Sequence, residues 1–278
     1  MDNQYRILGV NESASIAEIK RAFREKAKQN HPDIAGEGTR EYMQKLLNAY
    51  EILSNRQRRF DYDRVRRGAS GSGGFNYRDY LYEQAEISKA GLRIKETGDG
   101  ASNVRERARA ELIIFELLHF EEDTAVRIWL EVGGHNFPLE KYLEREDWMD
   151  CAFILAEELE KRGHYYDAFC LLAALIREER RLPYFRHFAE DVEIFLKELV
   201  RSRLRPVVDD ETWIECIQEL LSIGFSAREE GRWLKSQAEA LACIGEITAA
   251  RAAFHAAQKR DPSIAPSAKL KKACKAVL

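Results

Sequence analysis

Residues 15–33 read Ser15-Ile-Ala-Glu-Ile-Lys20-Arg-Ala-Phe-Arg-Glu25-Lys-Ala-Lys-Gln-Asn30-His-Pro-Asp33, and the fold of the N-terminal part follows from this stretch. Ile16, Ile19, Ala22, Phe23 and Ala27 recur at three-and-four spacing, which lines one side of a helix with apolar side chains. Ser13 or Ser15 can cap that helix and Glu18 sits in its first turn, while Pro32, which has no N–H to give, stops it after Asn30. Lys20, Arg21, Arg24 and Lys28 gather on the opposite side. Further on, Met43, Leu46, Leu47, Tyr50 and Leu53 repeat the same period. Two helices of similar length are therefore expected to pack as an antiparallel hairpin across the 31–40 loop, with His31-Pro32-Asp33 at its tip.

Working outward, Gly68-Ala-Ser-Gly-Ser-Gly-Gly74 cannot cover a core and reads as a flexible joint. The boundaries expected from it are residues 1–67, a Gly/Ser-rich linker over 68–77, and a helical domain over 78–278. Charge divides at the same place: 1–67 carries +4 and the remainder −7, giving the net −3 of all 278 residues. That balance does not suggest a wholesale binder of nucleic acid or of anionic membranes. Five cysteines, scattered singly with no C-x-x-C pair, are expected to be reduced core residues. Met1–Leu8 shows no basic-then-apolar signal segment, and the longest apolar run, Phe169–Ile176, is far short of the roughly 18 residues a membrane span needs. The expected compartment is the cytoplasm.

From Arg78 onward the periodicity is helical throughout, broken at Gly133-Gly134, Gly163, Pro183, Pro206, Gly224, Gly245 and Pro262 among others. Leu234, Ala238, Leu241, Gly245, Ala250, Phe254, Ala257 and Pro262 describe two closely approaching helices joined at Gly245. This unit, residues 231–264, resembles one tetratricopeptide repeat, and a fainter copy runs from Ala152 to Leu175 around Gly163. A TPR-like array closed by a terminal helix over 269–278 is the expected architecture.

Five segments together carry a further resemblance: Tyr5-Arg-Ile-Leu-Gly-Val10, the basic helix, His31-Pro32-Asp33, Asn48-Ala-Tyr-Glu-Ile-Leu53 and Gln57-Arg-Arg-Phe-Asp-Tyr-Asp63. In this order and spacing they resemble the J-domain of DnaJ-family cochaperones, over roughly residues 3–66. No repeated C-x-x-C-x-G-x-G zinc module follows. The resemblance implies that His31, Pro32 and Asp33 contact a DnaK-type chaperone ATPase and promote its hydrolysis, with Lys20, Arg21, Arg24 and Lys28 docking its acidic surface. Pro32 stiffens the corner and presents His31 and Asp33 outward, and a one-sided basic face steers an acidic partner. Lys26 and Asn30 fall at apolar spacing where the family usually places Leu and an aromatic, and Glu25 replaces a residue that is often basic.

No catalytic constellation accompanies these segments. There is no G-x-S-x-G elbow, no H-E-x-x-H, and no Lys-Ser/Thr after the Gly run to hold phosphate. Glu157, Glu158 and Glu160 read as a solvated helix face, and Asp209-Asp210-Glu211 as the N-terminal turn of a helix. Arg180–Phe188 mixes basic and aromatic residues in the manner of a nucleic-acid patch, but an amphipathic core edge accounts for it equally. The expected protein is all-α and not an enzyme, with no cofactor, no metal and no nucleic-acid partner. Its expected function is that of a cochaperone whose helical domain binds a client or partner protein. The alternative is a protein-binding helical scaffold with a weak or vestigial J-domain.

Overall fold

The computed structural model describes residues 3–30, 40–66 and 99–275, and every regular element among them is helical. The all-α expectation holds. His31-Pro32-Asp33 and the 68–77 joint lie outside the described residues.

The N-terminal helices are α1 (Gln4–Leu8), α2 (Ile16–Gln29), α3 (Arg40–Leu53) and α4 (Arg56–Arg66). Ser15, not Ser13, caps α2 by accepting from the Glu18 amide. At its other end Asn30 closes the helix, its side-chain amide donating to the Lys26 carbonyl at 2.8 Å. Tyr5, Leu8, Ile19, Phe23, Leu46, Ala49, Tyr50 and Leu53 form one buried cluster, with the Phe23 and Tyr50 rings 4.8 Å apart. Lys26 lies along the turn at Gly9, whose φ of 71° suits a residue without a side chain. The 57–63 segment acts as a clamp: Arg59 donates to the Tyr5 hydroxyl and to the carbonyls of Glu12 and Ala14, and the Tyr5 hydroxyl in turn donates to the Asp63 carboxylate.

Two compact units make up the chain, 1–162 with 183–189, and 163–182 with 190–278. The division falls away from the Gly/Ser joint because α5 (Asp99–Leu118), α6 (Glu122–Glu131) and α7 (Arg145–Lys161) complete the first unit together with the N-terminal helices. Eleven of the seventeen residues of α7 are buried, Asp150 and Glu158 among them, so this helix is enclosed on nearly every side. Its polar groups must find partners inside the unit.

The second unit holds α8 (Tyr165–Arg181), α9 (Ala189–Leu199) with a π-turn over Val200–Leu204, α10 (Asp210–Ile223), α11 (Ala227–Cys243), α12 (Ile247–Arg260) and α13 (Ala268–Lys275). Asp209 caps α10, with Asp210 and Glu211 in its first turn, and a Ser226/Glu229 capping box starts α11. Ala238, Ala250 and Ala257 are buried where α11 and α12 meet, and Gly245 makes the connecting turn with φ 90°. The cysteine expectation holds for Cys151 and Cys216, which are buried, and fails at Cys243, which is exposed near the end of α11.

Leu46 is fully enclosed in the N-terminal cluster. Leu46→Ala is expected to lower unfolding stability by about 3 kcal/mol in urea titration, the sum of lost transfer energy and an unfilled cavity.

Candidate partner-docking face

The first amides of α2 have no partner within their own helix. Ser15 takes the Glu18 N–H at 3.2 Å, and Asp150 from the middle of α7 takes the N–H groups of Ile16 and Ala17 at 3.3 and 2.9 Å. The Tyr184 hydroxyl donates to the same carboxylate at 2.7 Å. Asp150 is entirely buried, and burial pushes its pKa up to about 6 despite the donors around it. A carboxylate on α7 thus caps the helix that carries the basic residues and complements its dipole.

Those basic residues do not form the open stripe that the sequence suggested. Lys20 is fully buried, its ammonium 3.0 Å from Glu122 at the start of α6 and 4.7 Å above the Phe120 ring. Burial consequently holds Lys20 below the usual lysine range, against the attraction of Glu122. Arg24 reaches α7 with both arms, pairing with Glu158 at 2.6 Å and with Glu157. Burial alone would lower its pKa, but the two carboxylates outweigh it and raise it. Glu158 is further shared with Lys161 and Arg162, and their hydrogen bonds overcome its own burial to hold it below the carboxylate range. Glu157 and Glu158 are therefore not a solvated face, and the reason is that α7 is enclosed. Arg21 is part-exposed, paired with Glu25 at 3.3 Å and lying over the Phe188 ring at 5.6 Å. Lys28 alone of the four is exposed.

Aromatic contacts complete the closure. Phe120, in the turn between α5 and α6, sets its ring 5.4 Å from Phe23 and 4.9 Å from Tyr50, and the Tyr50 hydroxyl donates to the Leu118 carbonyl at 2.7 Å. From the 183–189 turn, His187 meets Glu18 at 2.8 Å, while Phe185 and Phe188 pack on Phe153. The aromatics of the Arg180–Phe188 stretch are thus committed to the interior. Among the described residues, Phe120 and Arg186 are the non-glycine residues at positive φ, 65° and 53°. Both lie in segments that reach the N-terminal helices. Asp150, Glu122 and Phe120 carried no signal in the sequence, since each is unremarkable alone and acts only through its placement.

Residues 3–63 match the family profile of the DnaJ domain. This segment is a J-domain. The chain is similar to chaperone protein DnaJ 1 of Cutibacterium acnes, 33% identical over 155 residues that cover 54% of this chain and 37% of that protein. It is also similar to the chaperone protein DnaJ of Hydrogenobacter thermophilus, 32% identical over 148 residues, with 53% and 36% covered. The DnaJ of Erysipelothrix rhusiopathiae is 47% identical over 74 residues, 26% of this chain and 20% of that protein. The chain thus spans little more than a third of these relatives at most. No solved structure matches it. Among the described residues no helix is long and apolar enough to cross a membrane.

A carboxylate whose pKa is higher in the folded than in the unfolded chain binds more protons when folded, so its contribution to stability falls as pH rises between the two values. With about 6 in the folded state against 3.8, Asp150 removes about 3 kcal/mol from low to neutral pH, roughly 1 of it between pH 5 and pH 7. Urea denaturation of the wild type and of Asp150→Asn at both pH values isolates this share. The wild type should lose about 1 kcal/mol more than the variant on going from pH 5 to pH 7.

Proposed function

We propose that the chain is a cochaperone that recruits a DnaK-type chaperone ATPase through its J-domain and stimulates ATP hydrolysis by that partner, itself catalysing nothing. The observation that carries this reading is the match of residues 3–63 to the DnaJ domain. By resemblance, His31, Pro32 and Asp33 engage the ATPase, and Lys20, Arg21, Arg24 and Lys28 supply the basic docking face. The C-terminal helices bind the client or partner at which the ATPase is to act, in a TPR-like manner. A groove of about 410 Å³ between α9, α10 and α11, lined by Trp213, Trp233 and Arg201 among others, is a candidate for that contact. Tethering a client beside the recruited ATPase raises its local concentration without a dedicated β-domain. The cytoplasm is the compartment that fits a DnaK-type partner and reduced cysteines.

A second reading has one observation in its favour. Lys20 and Arg24 are already occupied by carboxylates of the same chain, as expected of a helical scaffold in which the J-domain is only a packed part. ATP turnover of a DnaK-type ATPase separates the two. On the first reading the full chain accelerates turnover and His31→Gln returns it to the unstimulated rate. On the second, wild type and variant leave turnover unchanged.

A further inference from the structure

We propose that Glu122, Glu157 and Glu158 hold the J-domain in a closed state by occupying Lys20 and Arg24, and that a DnaK-type ATPase must displace these carboxylates in order to dock. The proposal rests on the cochaperone reading of the α2 face and adds its regulation.

The occupants have the chemistry of the expected partner. An acidic surface is what a basic helix face selects, and α6 and α7 present three carboxylates to that face, two of them converging on one guanidinium. Partner and closure compete for the same cations, so the apparent affinity of the partner is reduced by the fraction of molecules that stay closed.

The closure is also incomplete in ways that favour exchange. Lys20 is fully buried against Glu122, and one oxygen of Glu18 is buried with no hydrogen-bond partner. Taking ions out of water offsets most of what their pairing contributes, so such a seam is held weakly for its area. Phe120 and Arg186, on the two turns that grip the J-domain, sit in the left-handed region that residues with side chains occupy at a cost. A foothold is available at the rim, because Lys28 is exposed and the Arg24 side chain retains 23% of its accessibility. An incoming acidic surface can therefore meet Lys28 and Arg24 before Lys20 is uncovered.

The test uses the full chain in five forms: wild type, Glu122→Gln/Glu157→Gln/Glu158→Gln, Phe120→Gly, and each of these two variants combined with His31→Gln. Glycine accepts the backbone conformation at position 120, so the second variant removes the aromatic wedge without touching a charge. Single-turnover ATP hydrolysis by a DnaK-type ATPase is expected to reach half-maximal stimulation at about tenfold lower concentration for both opened variants than for wild type, and His31→Gln abolishes the effect. Hydrogen exchange of the same proteins is expected to quicken at the Ile16 and Ala17 amides while residues 227–260 keep their protection. Equal half-maximal concentrations for wild type and both opened variants would overturn the closure and leave the cochaperone reading standing. No stimulation by any form, with exchange raised at Ile16 and Ala17, would instead overturn the cochaperone reading.

Discussion

The capping of α2 by Asp150 is the constraint from which the arrangement of the first unit follows. Helix α7 is enclosed along most of its length, and a carboxylate in its middle cannot stay unpaired. It is satisfied by the leading amides of α2, the Tyr184 hydroxyl and the Ser15 side chain. Once α2 is fixed by its N-terminus against α7, the next two turns bring Lys20 to Glu122 and Arg24 to Glu157 and Glu158. The basic face and the acidic helices are therefore matched by register, not merely by opposite net charge. The +4 of residues 1–67 and the −7 of the remainder agree in sign with this pairing.

Much of the J-domain was legible because its determinants are local. Ile16, Ile19 and Phe23 mark a buried side, Ser15 a cap and Pro32 a stop, and each of these is decided within a few residues of itself. Periodicity says which residues share a face and says nothing of what covers that face. For this reason Lys20 read as an exposed cation, and Glu157 and Glu158 as solvated carboxylates, although Lys20 pairs with Glu122 and the two carboxylates pair with Arg24. Helix α7 misled for a related physical reason: an enclosed helix buries polar residues in pairs with distant elements, so its own pattern shows amphipathic character where the structure has almost none. The difference at Cys243 is simpler, since a cysteine late in an amphipathic helix lies on whichever side the period dictates.

The signature segment 57–63 has a structural role that its resemblance to other J-domains does not express. Arg59 satisfies the carbonyls of Glu12 and Ala14 in the turn ahead of α2, and its hydrogen bond to Tyr5 ties α1 to α4. The turn that delivers Ser15 to its capping position is thus held from α4 while Asp150 holds it from α7. Two elements distant in sequence fix the start of one helix, and displacement of α7 would leave Arg59 to keep the J-domain folded. The clamp and the seam are separable for this reason.

The chemistry of the seam also bears on why it is built from charges. An apolar interface of the same extent would be stabilised in proportion to its area and would offer a competing acidic surface nothing to exchange. A seam of ion pairs contributes less, because desolvation offsets attraction, but it can be opened one pair at a time by a surface of the same sign as the one displaced. Arg24 is suited to be the first pair broken: its guanidinium stays charged through any physiological pH, offers several donors, and can hold an old and a new carboxylate together during exchange. Lys20, a compact ammonium fully buried in the closed state, regains its hydration on release. The order of exposure in the fold, with Lys28 outermost, Arg24 at the rim and Lys20 enclosed, is the order in which such an exchange would run.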